Sequence, residues 1–242
     1  MRQKLYWSMF LFGGAILFSG CDGTVEPEGM SSGESLKSQS DSSLKLPSDI
    51  DPESGSRLPV RKREDMKPGD QEIYDRFLGD DATSLAGIRG PKNLRLYSPQ
   101  AGFHLSRANR ILRFESGLDP VVRELVILIV AREMDSQFEW TMHENVALEA
   151  GLAPETIEVI KYNKNVEGIQ ERDALLIRFG RELMRETKLS SRTFQEVLKA
   201  FGSEDLVTMT QLMGGYASTA LILRVVDQQL SADREPLLPI GQ

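Results

Sequence analysis

The run Leu125-Val126-Ile127-Leu128-Ile129-Val130 narrows the possible folds more than any other stretch, because six consecutive branched apolar side chains leave no face for water. Periodicity alone does not separate a buried strand from a buried helix here, so the flanks decide. Asp119-Pro120 supplies a cap and a proline suited to the first helical position. Arg123 and Glu124 before the run, and Ala131, Arg132 and Glu133 after it, extend one segment through about Met134, which is longer than a typical strand. The expectation is a central helix buried on nearly all sides.

Beyond Pro68 apolar residues recur at helical spacing between start and stop signals. Ser98-Pro99 opens a helix through about Phe114. The helix after the central run begins near Asp135 and is stopped by Gly151, and Pro154 starts a short one to about Tyr162. Further helices are expected over residues 170–188, 191–201 and 204–230. Gly214-Gly215 inside the last one costs up to about 1 kcal/mol per glycine against alanine, which predicts a kink or a very close helix contact. The chain has no internal repeat. It is expected to be all-α, a multi-helix bundle around one central apolar helix, with the domain at 67–235 and a tail at 236–242.

The first part of the chain reads as address and tether. Arg2 and Lys4 precede an apolar stretch from Leu5 to Phe18, shorter than the 20 or so residues a bilayer span needs, so residues 1–20 are expected to be a cleaved leader. Phe18-Ser19-Gly20-Cys21 resembles a bacterial lipobox, with Phe18 where leucine is usual and Cys21 as the lipidated first residue. The alternative is an ordinary leader with an incidental cysteine. Asp22 resembles the inner-membrane retention signal of some bacteria. Residues 21–66 are rich in Ser, Gly, Pro, Asp and Glu, too poor in apolar surface to offset the entropy of ordering, and are expected to form a disordered tether. The protein is thus expected to be exported and lipid-anchored, touching the membrane through the lipid alone, with its domain in the periplasm or at the cell surface.

A formal charge of -7 argues against nucleic acid as a partner, since such a partner calls for a basic face. Cys21 is the only cysteine, which excludes an intrachain disulfide, a cysteine-rich zinc site and a CxxC redox pair together. Whatever chemistry the domain performs is free of thiols.

The stretch Asp135 to Leu152, DSQFEWTMHENVALEAGL, holds the candidate site. At helical spacing Ser136, Glu139 and His143 fall on one stripe, setting a carboxylate beside an imidazole. A neighbouring carboxylate fixes the tautomer of the ring and raises its basicity, as a general base or a proton relay requires. The same spacing also suits a purely structural hydrogen-bonded pair. His143-Glu144 begins an HExxH pattern, but Ala147 stands where the second histidine belongs, so no metal site is expected.

REL, a long apolar helix and then EWxxHxxxAxxAGL together resemble the carboxymuconolactone decarboxylase and alkyl hydroperoxide reductase D superfamily, in its longer members with an EW pair. GPKNLRLYSP at Gly90 to Pro99, LRFESGLDPVVREL at Leu112 to Leu125 and the last helix with Tyr216 extend the likeness over roughly residues 70–230. The resemblance implies an alkyl hydroperoxide reductase D-like all-α fold and a homo-oligomer. In the peroxidase branch, Glu124 matches the relay glutamate and His143 the histidine, while Ser136 and Glu139 stand where two cysteines belong. Neither replacement forms a sulfenic acid or a disulfide, so thiol peroxidase activity is disfavoured. In the decarboxylase branch, which uses no cofactor, Glu139 and His143 resemble the catalytic pair.

The resemblance therefore implies His143 as acid or base, Glu139 orienting and charging it, and Glu124 completing the relay. The expected substrate is a small acid or lactone. Arg123, Arg95 and Tyr216 are further candidates for holding it, each also explicable as an exposed charge or a packing residue. Trp140 reads as core or pocket wall, and His104 as structural. The competing reading is an inactive oligomeric binding or scaffold module in which Glu139 and His143 satisfy each other. Convergence of Glu124, Glu139 and His143 on an open cavity favours catalysis, and sealing by packing favours the scaffold.

Overall fold

The computed structural model describes residues 46–79 and 86–240; the expected leader, Cys21 and the first half of the expected tether lie outside them. Among the described residues there are eight α-helices and no strand. They are α1 (Pro68–Gly79), α2 (Pro91–Arg95), α3 (Pro99–Arg110), α4 (Pro120–Glu133), α5 (Gln137–Ala150), α6 (Pro154–Lys161), α7 (Glu171–Arg185) and α8 (Ser191–Val225). The all-α expectation holds, and prolines open α2, α3, α4 and α6 at positions where a missing N–H costs nothing. The Asp119 carboxylate caps α4 by accepting from the Val121 N–H at 2.9 Å. Gly151 ends α5 with φ of 98°, a left-handed conformation that favours glycine.

The central run behaves as its composition demands. Leu125 through Ala131 on α4 are buried, and α5, α6, α7 and α8 pack around them. The closest approach is at Gly180 of α7, where an added Cβ would lie 2.5 Å from Ile129 Cγ2. Gly102 on α3 makes a similar approach to the backbone of Arg95, so α3 crosses directly over the end of α2. Gly214 and Gly215 do not: a Cβ on either meets nothing within 4 Å, and both positions are exposed. The close contact predicted there is absent among the described residues. Helix α8 instead breaks at Gly202, whose φ of 78° and ψ of 174° are not helical, so the two expected helices run end to end and stop at Val225 rather than near residue 230.

Two further expectations need correction. The helix expected to run from Ser98 to Phe114 is α-helical only to Arg110 and continues as a π-helical turn over Ile111–Glu115. The segment 46–66, expected to belong to the tether, packs against the helical body. Ile50, Ser54, Ser56 and Met66 are buried, the Arg57 N–H donates to the Val226 carbonyl at 2.8 Å, and the Gln229 N–H donates to the Gly55 carbonyl at 2.7 Å. Its backbone polar groups find partners on α2 and the end of α8, so it orders with little apolar surface. Within the tail, Leu238 is buried and Arg132 Nη1 donates to the Pro239 carbonyl at 3.1 Å.

By length and composition α8 is apolar enough to cross a membrane. Its residues Met209, Leu212, Met213, Tyr216, Ala220 and Leu223 are buried in the body, the arrangement of a core helix.

Candidate functional site

Helix α4 carries Glu124 one turn from its start, and α5 carries Glu139 and His143 along the face turned towards it. Glu124 is fully buried, His143 is 3% exposed and Glu139 5%. His143 Nδ1 lies 2.7 Å from Glu124 Oε2, and Arg123 Nε donates to Glu124 Oε1 at 2.8 Å. Burial by itself would raise the Glu124 carboxyl, yet the hydrogen bond and charge of His143 and the bond from Arg123 bring it below the ordinary carboxylate range. Glu124 is therefore an ionised acceptor, which assigns a proton to Nδ1 of the ring. Tyr216, from α8, places its hydroxyl 3.2 Å from Nε2 with its ring edge-on to the imidazole. Burial holds the Tyr216 hydroxyl above its usual value, so it keeps its proton.

Glu139 stands on the other side of the ring. Its Oε2 is 3.8 Å from His143 Nε2, too far for a hydrogen bond. Burial raises its carboxyl above the ordinary range, against the opposing pull of His143, Arg95 and Arg113. The three sequence candidates thus meet at one imidazole, and the carboxylate hydrogen-bonded to it is Glu124 rather than Glu139. Glu139 lies on the cavity lining beside the ring.

What Glu139 faces is a cavity of about 190 Å³. Arg95, Arg113, Glu139, His143, Tyr216 and Thr219 make its polar end, and Phe77, Phe103, Phe114, Phe138 and Met142 its apolar walls. Arg95 Nη1 and Nη2 donate to Ser106 Oγ at 3.2 Å and Thr219 Oγ1 at 3.3 Å, and burial pulls its guanidinium below its usual value. Of the further candidates, Arg95 and Tyr216 reach the cavity. Arg123 does not, being held behind it by Glu124 and by the Arg113 carbonyl, to which its Nη1 donates at 2.9 Å. Trp140 is core, donating from Nε1 to Glu144, which also pairs with Lys161. His104 is exposed and touches only the Phe103 ring among the aromatic contacts. Ser136 is the buried N-cap residue of α5. No group of three or more His, Cys, Asp or Glu side chains among the described residues is arranged to hold a metal ion.

The residue that sequence reasoning missed is Arg113. It lies on the π turn at Ile111–Glu115 and lines the cavity.

Fold and site together define an all-helical protein with a buried carboxylate–imidazole–phenol line at a cavity wall. Residues 103–163, the segment holding Glu124, Glu139 and His143, match the model of the carboxymuconolactone decarboxylase family, and this segment is similar to that family. No curated protein and no solved structure matches the chain.

Proposed function

We propose that this protein is a cofactor-free proton-transfer catalyst of the carboxymuconolactone decarboxylase type, acting on a small organic acid or lactone by decarboxylation or lactone/keto-acid conversion. The observation that carries the reading is the in-line pair of hydrogen bonds, Glu124 to His143 Nδ1 and Tyr216 to His143 Nε2, ending at a cavity. A proton leaving the substrate passes to the Tyr216 oxygen as the tyrosine's own proton moves to Nε2. The imidazolium so formed is balanced by ionised Glu124, and the reverse transfer returns a proton to carbon. Where carbon dioxide leaves, the electron pair of the broken C–C bond enters a neighbouring carbonyl, and Arg95 and proton-bearing Glu139 stabilise the resulting oxyanion. Ser136 and Glu139 at the cysteine positions of the peroxidase branch speak against thiol peroxidase activity.

The test is turnover of lactones, keto acids and peroxides by wild type and His143→Ala. A loss of about a hundredfold to ten-thousandfold on a lactone or keto acid is expected. Equal rates for the two proteins remove His143 from the mechanism, and inactivity of folded wild type across the panel favours the binding or scaffold reading.

The homo-oligomer implied by the family has support on α8. Val207, Gln211, Gly214, Ser218 and Leu221 are all exposed at alternating spacings of four and three residues, within a stretch free of charge from Leu206 to Leu223. A second copy of the chain is the proposed cover for this stripe. Export and lipid attachment at Cys21 stay a proposal resting on the leader pattern of the sequence.

A further inference from the structure

The relay leaves two buried polar side chains on the cavity wall without hydrogen-bond partners suited to their charge. Arg113 is 8% exposed, and its Nε has no hydrogen-bond partner. Its guanidinium lies over the Phe114 ring, 4.5 Å from the centroid, in cation–π contact, and among the described residues no carboxylate is within ion-pair distance of it, Glu139 and Glu124 acting on it only through their charge. Glu139 is the acid nearest the same end of the cavity, and burial keeps its carboxyl towards the proton-bearing form, so it is a poor counter-charge. Glu124, the ionised acid of the site, is already engaged by His143 and Arg123. Arg95 adds a second guanidinium whose bonds go to neutral hydroxyls. Cations thus outnumber ionised acids on the cavity lining, since Arg76, Lys92, Arg107 and Arg110 join Arg113 and Arg95 there, and for the buried Arg113 that is a state penalised unless an anion completes it.

The backbone holds Arg113 in that position by a specific device. The π turn at Ile111–Glu115 points it inward, and the Arg113 carbonyl accepts from Arg123 Nη1, the same arginine that pairs with Glu124. One side chain therefore fixes both the relay carboxylate and the turn that presents the second guanidinium. Next to this cationic end the walls are apolar, with Phe77, Phe103 and Phe138 contributed by α1, α3 and α5.

We propose that the cavity selects an organic anion with an apolar body, an aryl or acyl carboxylate, whose carboxylate is held by Arg113 with Arg95 beside it and whose body lies against Phe77, Phe103 and Phe138. A planar guanidinium offers paired donors to the two oxygens of a carboxylate, and the phenyl walls take the remainder. This deepens the proposed function, since it concerns the same cavity, but it is a statement about binding and is tested without turnover.

Calorimetric titration of the full chain with cinnamate and octanoate, with their neutral amides, and with acetate decides it. Wild type is expected to bind the two apolar carboxylates at least about tenfold more tightly than their amides or acetate. Arg113→Met brings carboxylate affinity down to that of the amide, and Arg113→Lys, a point charge without the planar fork, retains part of the preference. Arg113→Met is also expected to melt at a higher temperature than wild type with no anion added, because it removes a buried charge lacking a partner. Octanoate then raises the melting temperature of wild type and not of the variant. Equal binding of carboxylate and amide, absence of binding to any of them, or full carboxylate affinity in Arg113→Met each overturns the proposal; if Arg113→Met does not fold, Arg113→Lys carries the same comparison. Carboxylate binding without turnover would sink the catalytic reading alone, and turnover without carboxylate preference would sink this one alone.

Discussion

The two sides of the His143 ring are built on opposite terms. On the Nδ1 side, towards α4, Glu124 is fully buried and both its oxygens are bonded, one to the imidazole and one to Arg123. On the Nε2 side, towards the cavity, Tyr216 is at 3.2 Å, Glu139 is beyond bonding distance and Arg113 is buried with a free Nε. The first side resembles the apolar core of α4, where Leu125 through Ala131 are packed on all sides. The second keeps unmet polar capacity, and proteins tolerate that cost where something other than stability is being selected.

The sharpest way to break the comparison is to cut into each side in turn. Leu128→Ala removes a fully buried side chain from α4 and is expected to cost about 2–5 kcal/mol in a denaturant titration; a loss below about 1 kcal/mol would mean that the core around α4 is loose. Next in size is the pair of carboxylates. Glu124 is held below its ordinary value of 4.5, so the stability it contributes is complete above that pH and is lost as pH falls through the folded value. Glu139 is held above 4.5, so its effect has the other sign, and stability declines as pH rises from 4.5 through its folded value. Glu124→Gln should therefore cost about 1.5–3 kcal/mol at neutral pH and flatten the acid limb of the stability curve. Glu139→Gln should stabilise at neutral pH, by up to about 1 kcal/mol, and flatten the decline. Curves for the two variants that bend alike would erase the distinction between the sides. The smallest effect on stability is expected from Leu221→Asp on the exposed stripe of α8, within about 0.5 kcal/mol, while sedimentation should show the oligomer dissociating. An unchanged mass would move the contact elsewhere.

Much of this was readable from local chemistry. The proline and glycine signals bracket α3 to α6, and the apolar run fixes α4 as the central helix, because these depend on neighbours in sequence. The meeting of Glu124, Glu139 and His143 followed from spacing together with a family likeness. Four features were not legible, for a shared reason: each depends on groups far along the chain. The burial of Ser54 and Ser56 rests on partners near residues 226–229, so an argument from apolar content alone predicted disorder. That Glu124 rather than Glu139 bonds the His143 ring is set by the side from which α4 approaches α5, which a helical wheel does not contain. Gly214 and Gly215 signal an absent side chain without saying whether the neighbour belongs to the same chain. Arg113 follows a π turn that no residue in Ile111–Glu115 announces.

That turn makes chain length an inherited determinant of ligand choice. A π turn closes one residue later than an α turn, so losing a single residue between 111 and 115 would restore an ordinary helix and rotate Arg113 by about 100° about its axis. The imidazole and both glutamates would be untouched, and an alignment scored on them would report an intact site. Descendants differing by that one deletion could keep the proton chemistry of the ancestor and yet accept an uncharged molecule in its place.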